Sequence, residues 1–212
     1  MKKLLICLLC MLPIAANAKV IYRTQQTGTV PGTVVESKDT FASEHMFYIG
    51  AMYDLSMWQN YTDDAQIARG RDTLGFDALV GFRLYDTFRI EADYTYSQAK
   101  WNIMSMNTNT VFLNAIFDAR IDSLYRLFHK QRLVPYVGVG TGLTWYAGKD
   151  MTFRNDANVS LAALAGLGIE FGEYFALDIG YRYVYMFKPE VNVMPELVPS
   201  AHQIRLGGRV NF

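Results

Sequence analysis

SAHQIRLGGRVNF, residues 200–212, alternates strictly from position 202 to its end. Ile204, Leu206, Gly208, Val210 and Phe212 take one face; Gln203, Arg205, Gly207, Arg209 and Asn211 take the other. A period of two marks a β-strand, because successive side chains leave the pleated backbone on opposite sides. The two faces are chemically opposed, so they meet different surroundings. Chain ends usually fray and turn polar, yet this strand keeps its pattern to a final phenylalanine. That end is expected to be anchored.

Seven earlier stretches repeat the theme. In the first, Phe47, Ile49, Ala51, Tyr53 and Leu55 oppose Tyr48, Gly50, Met52, Asp54 and Ser56. The second sets Leu74, Phe76, Val80 and Leu84 against Gly75, Asp77, Gly81 and Arg83. The third sets Phe88, Ile90, Tyr94 and Tyr96 against Arg89, Glu91, Asp93 and Thr95. In the fourth, Val111, Leu113 and Phe117 oppose Thr110, Asn114, Asp118 and Arg120. Val137, Val139, Leu143 and Trp145 oppose Tyr136, Gly138, Gly140 and Gly142 in the fifth. The sixth pairs Val159, Leu161, Leu167 and Ile169 with Ser160, Gly166, Gly168 and Glu170, and the seventh Phe175, Leu177, Ile179 and Tyr181 with Ala176, Asp178, Gly180 and Arg182. Alternating segments of about ten residues separated by turns are the sequence signal of a membrane barrel. Residues 45–212 are therefore predicted to form an all-β fold, an eight-stranded antiparallel up-and-down transmembrane β-barrel.

Alternation alone does not say which face points outward, since a water-soluble barrel alternates too. Three features favour the inverted arrangement. The polar faces combine small residues with balanced charge: Asp77, Glu91, Asp93, Asp118, Glu170 and Asp178 against Arg83, Arg89, Arg120, Arg182, Arg205 and Arg209. A barrel of about eight strands is just wide enough inside to be filled by side chains, so these are expected to form an ion-paired lumen network. Trp58, Trp101 and Trp145 fall at corresponding strand ends and are predicted to form an interfacial aromatic belt. Connections also differ by side: 59–71, 102–107, 147–158 and 188–201 on one, 85–87, 122–131 and 172–174 on the other. The longer set is expected to be external.

Composition agrees. Apolar residues make up 51% of the chain and charged ones 19%. Residues 1–18 read as a cleavable signal peptide: Lys2 and Lys3, an apolar run, then Ala16-Asn17-Ala18. Both cysteines, Cys7 and Cys10, lie in that segment, which leaves no disulfide framework and no cysteine-ligated metal downstream. Without Lys2 and Lys3, 18 basic residues face 20 acidic ones, a net charge of −2 that gives no sign of nucleic-acid binding. Residues 19–44 are polar, carry Gly28, Pro31 and Gly32, and read as a flexible leader. An internal echo, GFRLYDTFRIEADYTY (81–96) against GIEFGEYFALDIGYRY (168–183), points to one hairpin design used twice.

These segments, with VPYVGVGTG (134–142) and the terminal RVNF, resemble the small Gram-negative outer-membrane barrels: the OmpA transmembrane domain, OmpX and the opacity-type surface proteins. The resemblance implies the outer membrane as location, with outer-membrane lipid and lipopolysaccharide as surroundings and a monomeric state. It also implies that Phe212 serves as the signal read by the barrel-assembly machinery. OmpA-like proteins often carry a peptidoglycan-binding domain after the barrel; none follows Phe212, so no cell-wall tether is expected.

Function is then expected in envelope structure and surface contact. KPEVNVMPELVPSA (188–201) is the best docking stretch, with Val191, Val193, Met194 and Leu197 between prolines as a strip for a host or envelope protein. A porin-like channel and a lipid-modifying enzyme are the alternatives. Charge rows in a narrow lumen argue against the first. For the second, the histidines are His45, His129 and His202, and only His202, near Ser200, falls on the external side. No catalytic residue is assigned on that basis. Asp63, Asp64, Asp150 and Asp156 show no EF-hand spacing, so neither metal nor cofactor is expected.

Overall fold

The computed structural model describes residues 46–63, 66–85, 87–102, 105–119, 131–147, 157–187 and 198–212. The signal peptide, the leader, His45, Asp64, Arg120, His129, Asp150, Asp156, Val191, Val193, Met194 and Leu197 lie outside the described residues.

Among the described residues ten strands form: β1 (Phe47–Trp58), β2 (Tyr61–Asp63), β3 (Gln66–Ala68), β4 (Asp72–Tyr85), β5 (Phe88–Lys100), β6 (Ser105–Asp118), β7 (Gln131–Ala147), β8 (Asn158–Phe171), β9 (Phe175–Met186) and β10 (Ser200–Asn211). Eight of them close a barrel in the order β1-β10-β9-β8-β7-β6-β5-β4, and β2 and β3 make a separate two-stranded hairpin. Every barrel pairing is antiparallel. Closure joins the first strand to the last, from Tyr48↔Asn211 to Trp58↔Ala201. At the rim where the chain ends, the Phe47 amide donates to the Phe212 carbonyl (3.2 Å) and the Phe212 amide to the Phe47 carbonyl (2.8 Å). The phenylalanine rings stack at 6.4 Å. The final residue is thus held by the seam that removes the sheet's free edges.

Connections follow their turn chemistry. Between β8 and β9 the chain reverses through residues 172–174, where Gly172 takes φ 71°. That left-handed conformation suits glycine. The stretch 59–71, expected as a plain loop, holds the β2–β3 hairpin instead. Its two strands are three residues each, too short for alternation to show in sequence.

Burial is inverted relative to a water-soluble protein. The largest fully buried side chains are Arg89, Arg182, Arg205 and Arg209, whereas Leu74 is 75% exposed and Val139 66%. Exposed apolar side chains occur on all eight barrel strands, while charge and glycine line the interior. Glycines admit the bulky inner residues. Tyr48 pairs with Gly81 and lies across it, so a Cβ there would collide with the ring. Tyr136 lies over Gly166 and Gly180 in the same way.

Candidate functional site

The lumen is stacked in layers. At its centre, Arg182 of β9 meets three aspartates from β1, β4 and β5. Its Nη1 lies 3.2 Å from Asp93 Oδ2, and its Nη2 3.3 Å from Asp77 Oδ1 and 3.5 Å from Asp54 Oδ2. Nη2 also donates to Thr95 Oγ1 (3.0 Å) and Nε to Gln203 Oε1 (2.6 Å). Arg205 of β10 answers the same carboxylates: Nη2 sits 2.6 Å from Asp77 Oδ2 and 3.4 Å from Asp93 Oδ2, and Nε 3.5 Å from Asp54 Oδ1. In the barrel order, β9 and β5 stand four strands apart either way round. Arg182–Asp93 therefore spans the full width of the barrel. The Phe112 ring lies 5.1 Å from the Arg182 guanidinium carbon, so the cation rests on an aromatic face as well.

A second layer lies toward the terminal rim. Arg89 Nε donates to Asp118 Oδ1 (3.1 Å), and its Nη1 to Glu91 Oε2 (3.1 Å) and to the Tyr48 hydroxyl (2.9 Å). That hydroxyl donates in turn to Glu91 Oε2 (2.9 Å). The Tyr48 ring takes Arg89 at 5.6 Å and Arg209 at 5.4 Å, and Arg209 Nε lies 3.3 Å from Asp178 Oδ2. Arg83 reaches across to Glu170 at 3.5 Å, near Arg132.

Toward the opposite, far rim the charges give way to hydroxyls and then to an apolar lid. Thr144 bonds Thr110 (2.8 Å) and Ser160 (2.6 Å), while Gln203 donates to Ser56 (2.9 Å). Above them Trp58 and Trp101 meet at 5.6 Å, packed with Met106, Val184 and Met186. Trp58 Nε1 donates to Thr73 Oγ1 (3.0 Å) and to the Gln98 carbonyl (3.1 Å); Trp101 Nε1 donates to the Gln59 carbonyl (3.0 Å). Buried indoles need such partners for the N–H.

The structure thus brings together Asp77, Asp93, Arg182 and Arg205 in one layer, and Arg89, Glu91, Asp118, Asp178 and Arg209 in the next, with Arg83 and Glu170 beside the latter. Asp54, absent from the expected network, is a full member of the central layer. Its place was visible in sequence, because it shares a face with Tyr48, Gly50 and Ser56.

The three tryptophans do not form one interfacial belt. Trp145 is 38% exposed on the outer wall, but Trp58 (5%) and Trp101 (3%) turn inward. Trp58 continues the inward series Asp54, Ser56, and Trp101 continues Ser97, Ala99; parity rather than position at a strand end sets their direction. Ser200 and His202 do not touch as a catalytic pair would. Gln59 stands between them, accepting from Ser200 Oγ (2.7 Å) and lying 3.0 Å from His202 Nε2. His202 Nδ1 lies 2.6 Å from the Tyr181 hydroxyl. Among the described residues no group of three or more His, Cys, Asp or Glu side chains is placed to hold a metal ion.

A family model described as outer membrane protein beta-barrel domain matches residues 32–212. Among solved structures, Neisserial surface protein A (NspA) superposes with a TM-score of 0.60 at 22% identity, covering 78% of this chain and 97% of that one. OprG from Pseudomonas aeruginosa gives 0.50 at 12%, covering 79% and 96%. AlkL, solved in DMPC lipid bilayers, gives 0.50 at 16%, covering 91% and 95%. At these identities the likeness is one of fold. No curated protein matches the chain.

Proposed function

The chain belongs to the outer membrane protein beta-barrel domain family, and from that premise we propose that it is a closed, non-conducting surface barrel serving envelope structure and contact. The far rim, with the longer connections and the β2–β3 hairpin, faces outward; the terminal rim faces the periplasm. Contact with a host or envelope protein runs through the external loops, including the 188–201 strip. Phe212 acts as the assembly signal, and the barrel works as a monomer without catalytic residues.

One observation carries the closed lumen: Arg182 stretches across the whole barrel to Asp93 while also holding Asp54 and Asp77. An ion path would have to break several buried charge-assisted bonds at once, and the Trp58–Trp101 lid closes the mouth beyond them. Purified, refolded protein in planar bilayers is expected to show no stable conductance steps. Reproducible long-lived openings would place the protein among small channels and overturn the reading.

A further inference from the structure

A different arrangement sits on the outer wall of the far rim. Gly70 and Trp101 form an antiparallel bridge. Beside it the Arg71 amide donates to the Lys100 carbonyl (2.8 Å), and the Asn102 amide to the Arg69 carbonyl (3.1 Å). This register sets Arg71 directly across from Lys100 and Arg69 across from Asn102. Farther down, Gly75 pairs with Ser97, one residue out of step with the bridge. A bulge on the β4 side absorbs the extra residue. It turns both Arg71 and Asp72 outward, so Arg69, Arg71 and Lys100 share one exposed face.

Like charges facing each other across a ladder destabilise it. Asp72 is exposed beside them, yet none of the three cations forms an ion pair among the described residues. The wall beneath is apolar, with Leu74 75% and Tyr96 42% exposed.

We propose that Arg69, Arg71 and Lys100 bind the phosphate of an outer-leaflet phosphoglycolipid whose acyl chains lie along Leu74 and Tyr96. An anion seated between Arg71 and Lys100 converts their repulsion into two attractions, and the arginine fork matches phosphate oxygens. A small soluble anion would satisfy the charges alone; the hydrocarbon wall directly below selects an amphiphile. The assignment rests on the far rim facing the outer leaflet.

The test uses the mature protein in phosphatidylcholine nanodiscs doped with lipid A carrying both phosphates or with its dephosphorylated form. Retained lipid is read by native mass spectrometry. The wild type is expected to retain the phosphorylated form at least about ten-fold better, a difference of roughly 1.4 kcal/mol, and R71Q/K100Q to lose that preference. In dodecyl maltoside K100Q should unfold no earlier than the wild type, whereas in lipid A nanodiscs it should unfold earlier. Equal retention of the two lipids by the wild type overturns the site without need of a variant. So does an undiminished preference in R71Q/K100Q that still shows heat-modifiable migration. Displacement of the lipid by millimolar inorganic phosphate would leave a free-anion site and overturn the lipid assignment. Failure to insert into any bilayer would instead strike the barrel reading itself.

Discussion

Arg182→Met is expected to lower the unfolding free energy by about 3–5 kcal/mol, measured by urea titration in detergent with the heat-modifiable gel band as readout. The size follows from what is left behind. Asp54, Asp77 and Asp93 are each within 3.5 Å of this guanidinium and essentially without solvent access. Arg205 alone would have to serve three carboxylates. Arg182→Lys should recover only part of the loss, since one ammonium cannot replace a fork that also binds Thr95 and Gln203. Adding Asp54→Asn and Asp93→Asn to Arg182→Met should recover more, because the isolated charges disappear together. An unchanged midpoint for Arg182→Met would mean that the cluster is hydrated.

Trp101→Ala is the second large effect, at about 3–5 kcal/mol, with Trp58→Ala comparable. Each removes a buried ring from the lid and leaves an indole acceptor unpaired: the Gln59 carbonyl for Trp101, Thr73 and the Gln98 carbonyl for Trp58. Trp145→Ala should cost about 1 kcal/mol or less by the same titration, because its ring lies on the outer wall against lipid or detergent. A belt of three equivalent tryptophans predicts three similar small losses. The lid predicts two large and one small.

Most of the barrel was legible because one variable, residue parity, encodes both strand and face. Alternation through Arg205 and Arg209 puts those cations on the inner wall, and the same rule places Asp77, Glu91 and Asp178 there. Position at a strand end does not set direction: Trp58 and Trp101 sit at strand ends, yet they continue the inward series of Ser56 and Ser97. Partners were illegible for a different reason. Arg182 and Asp93 lie 89 residues apart, and only closure of β1 against β10 sets which strands stand opposite. The Arg71–Lys100 juxtaposition depends on a bulge, a one-residue slip that leaves no trace in composition. The lid's apolar members, Met106, Val184 and Met186, lie at inward positions of the far-rim strand ends, where alternation gives their face but not the cluster they form.

The most direct test of the inverted barrel is a spin-label scan. Cys7 and Cys10 are the only cysteines, so with both replaced by serine, single cysteines at Leu113, Val139, Leu167 and Ile204 can be labelled after refolding into vesicles. All four point outward at mid-strand positions. Hydrocarbon around the barrel predicts high accessibility to oxygen and low accessibility to a water-soluble nickel complex at every one of them. Preferential collision with the nickel complex at those sites, or protein that stays folded in buffer without detergent or lipid, would contradict an outer wall built for a membrane.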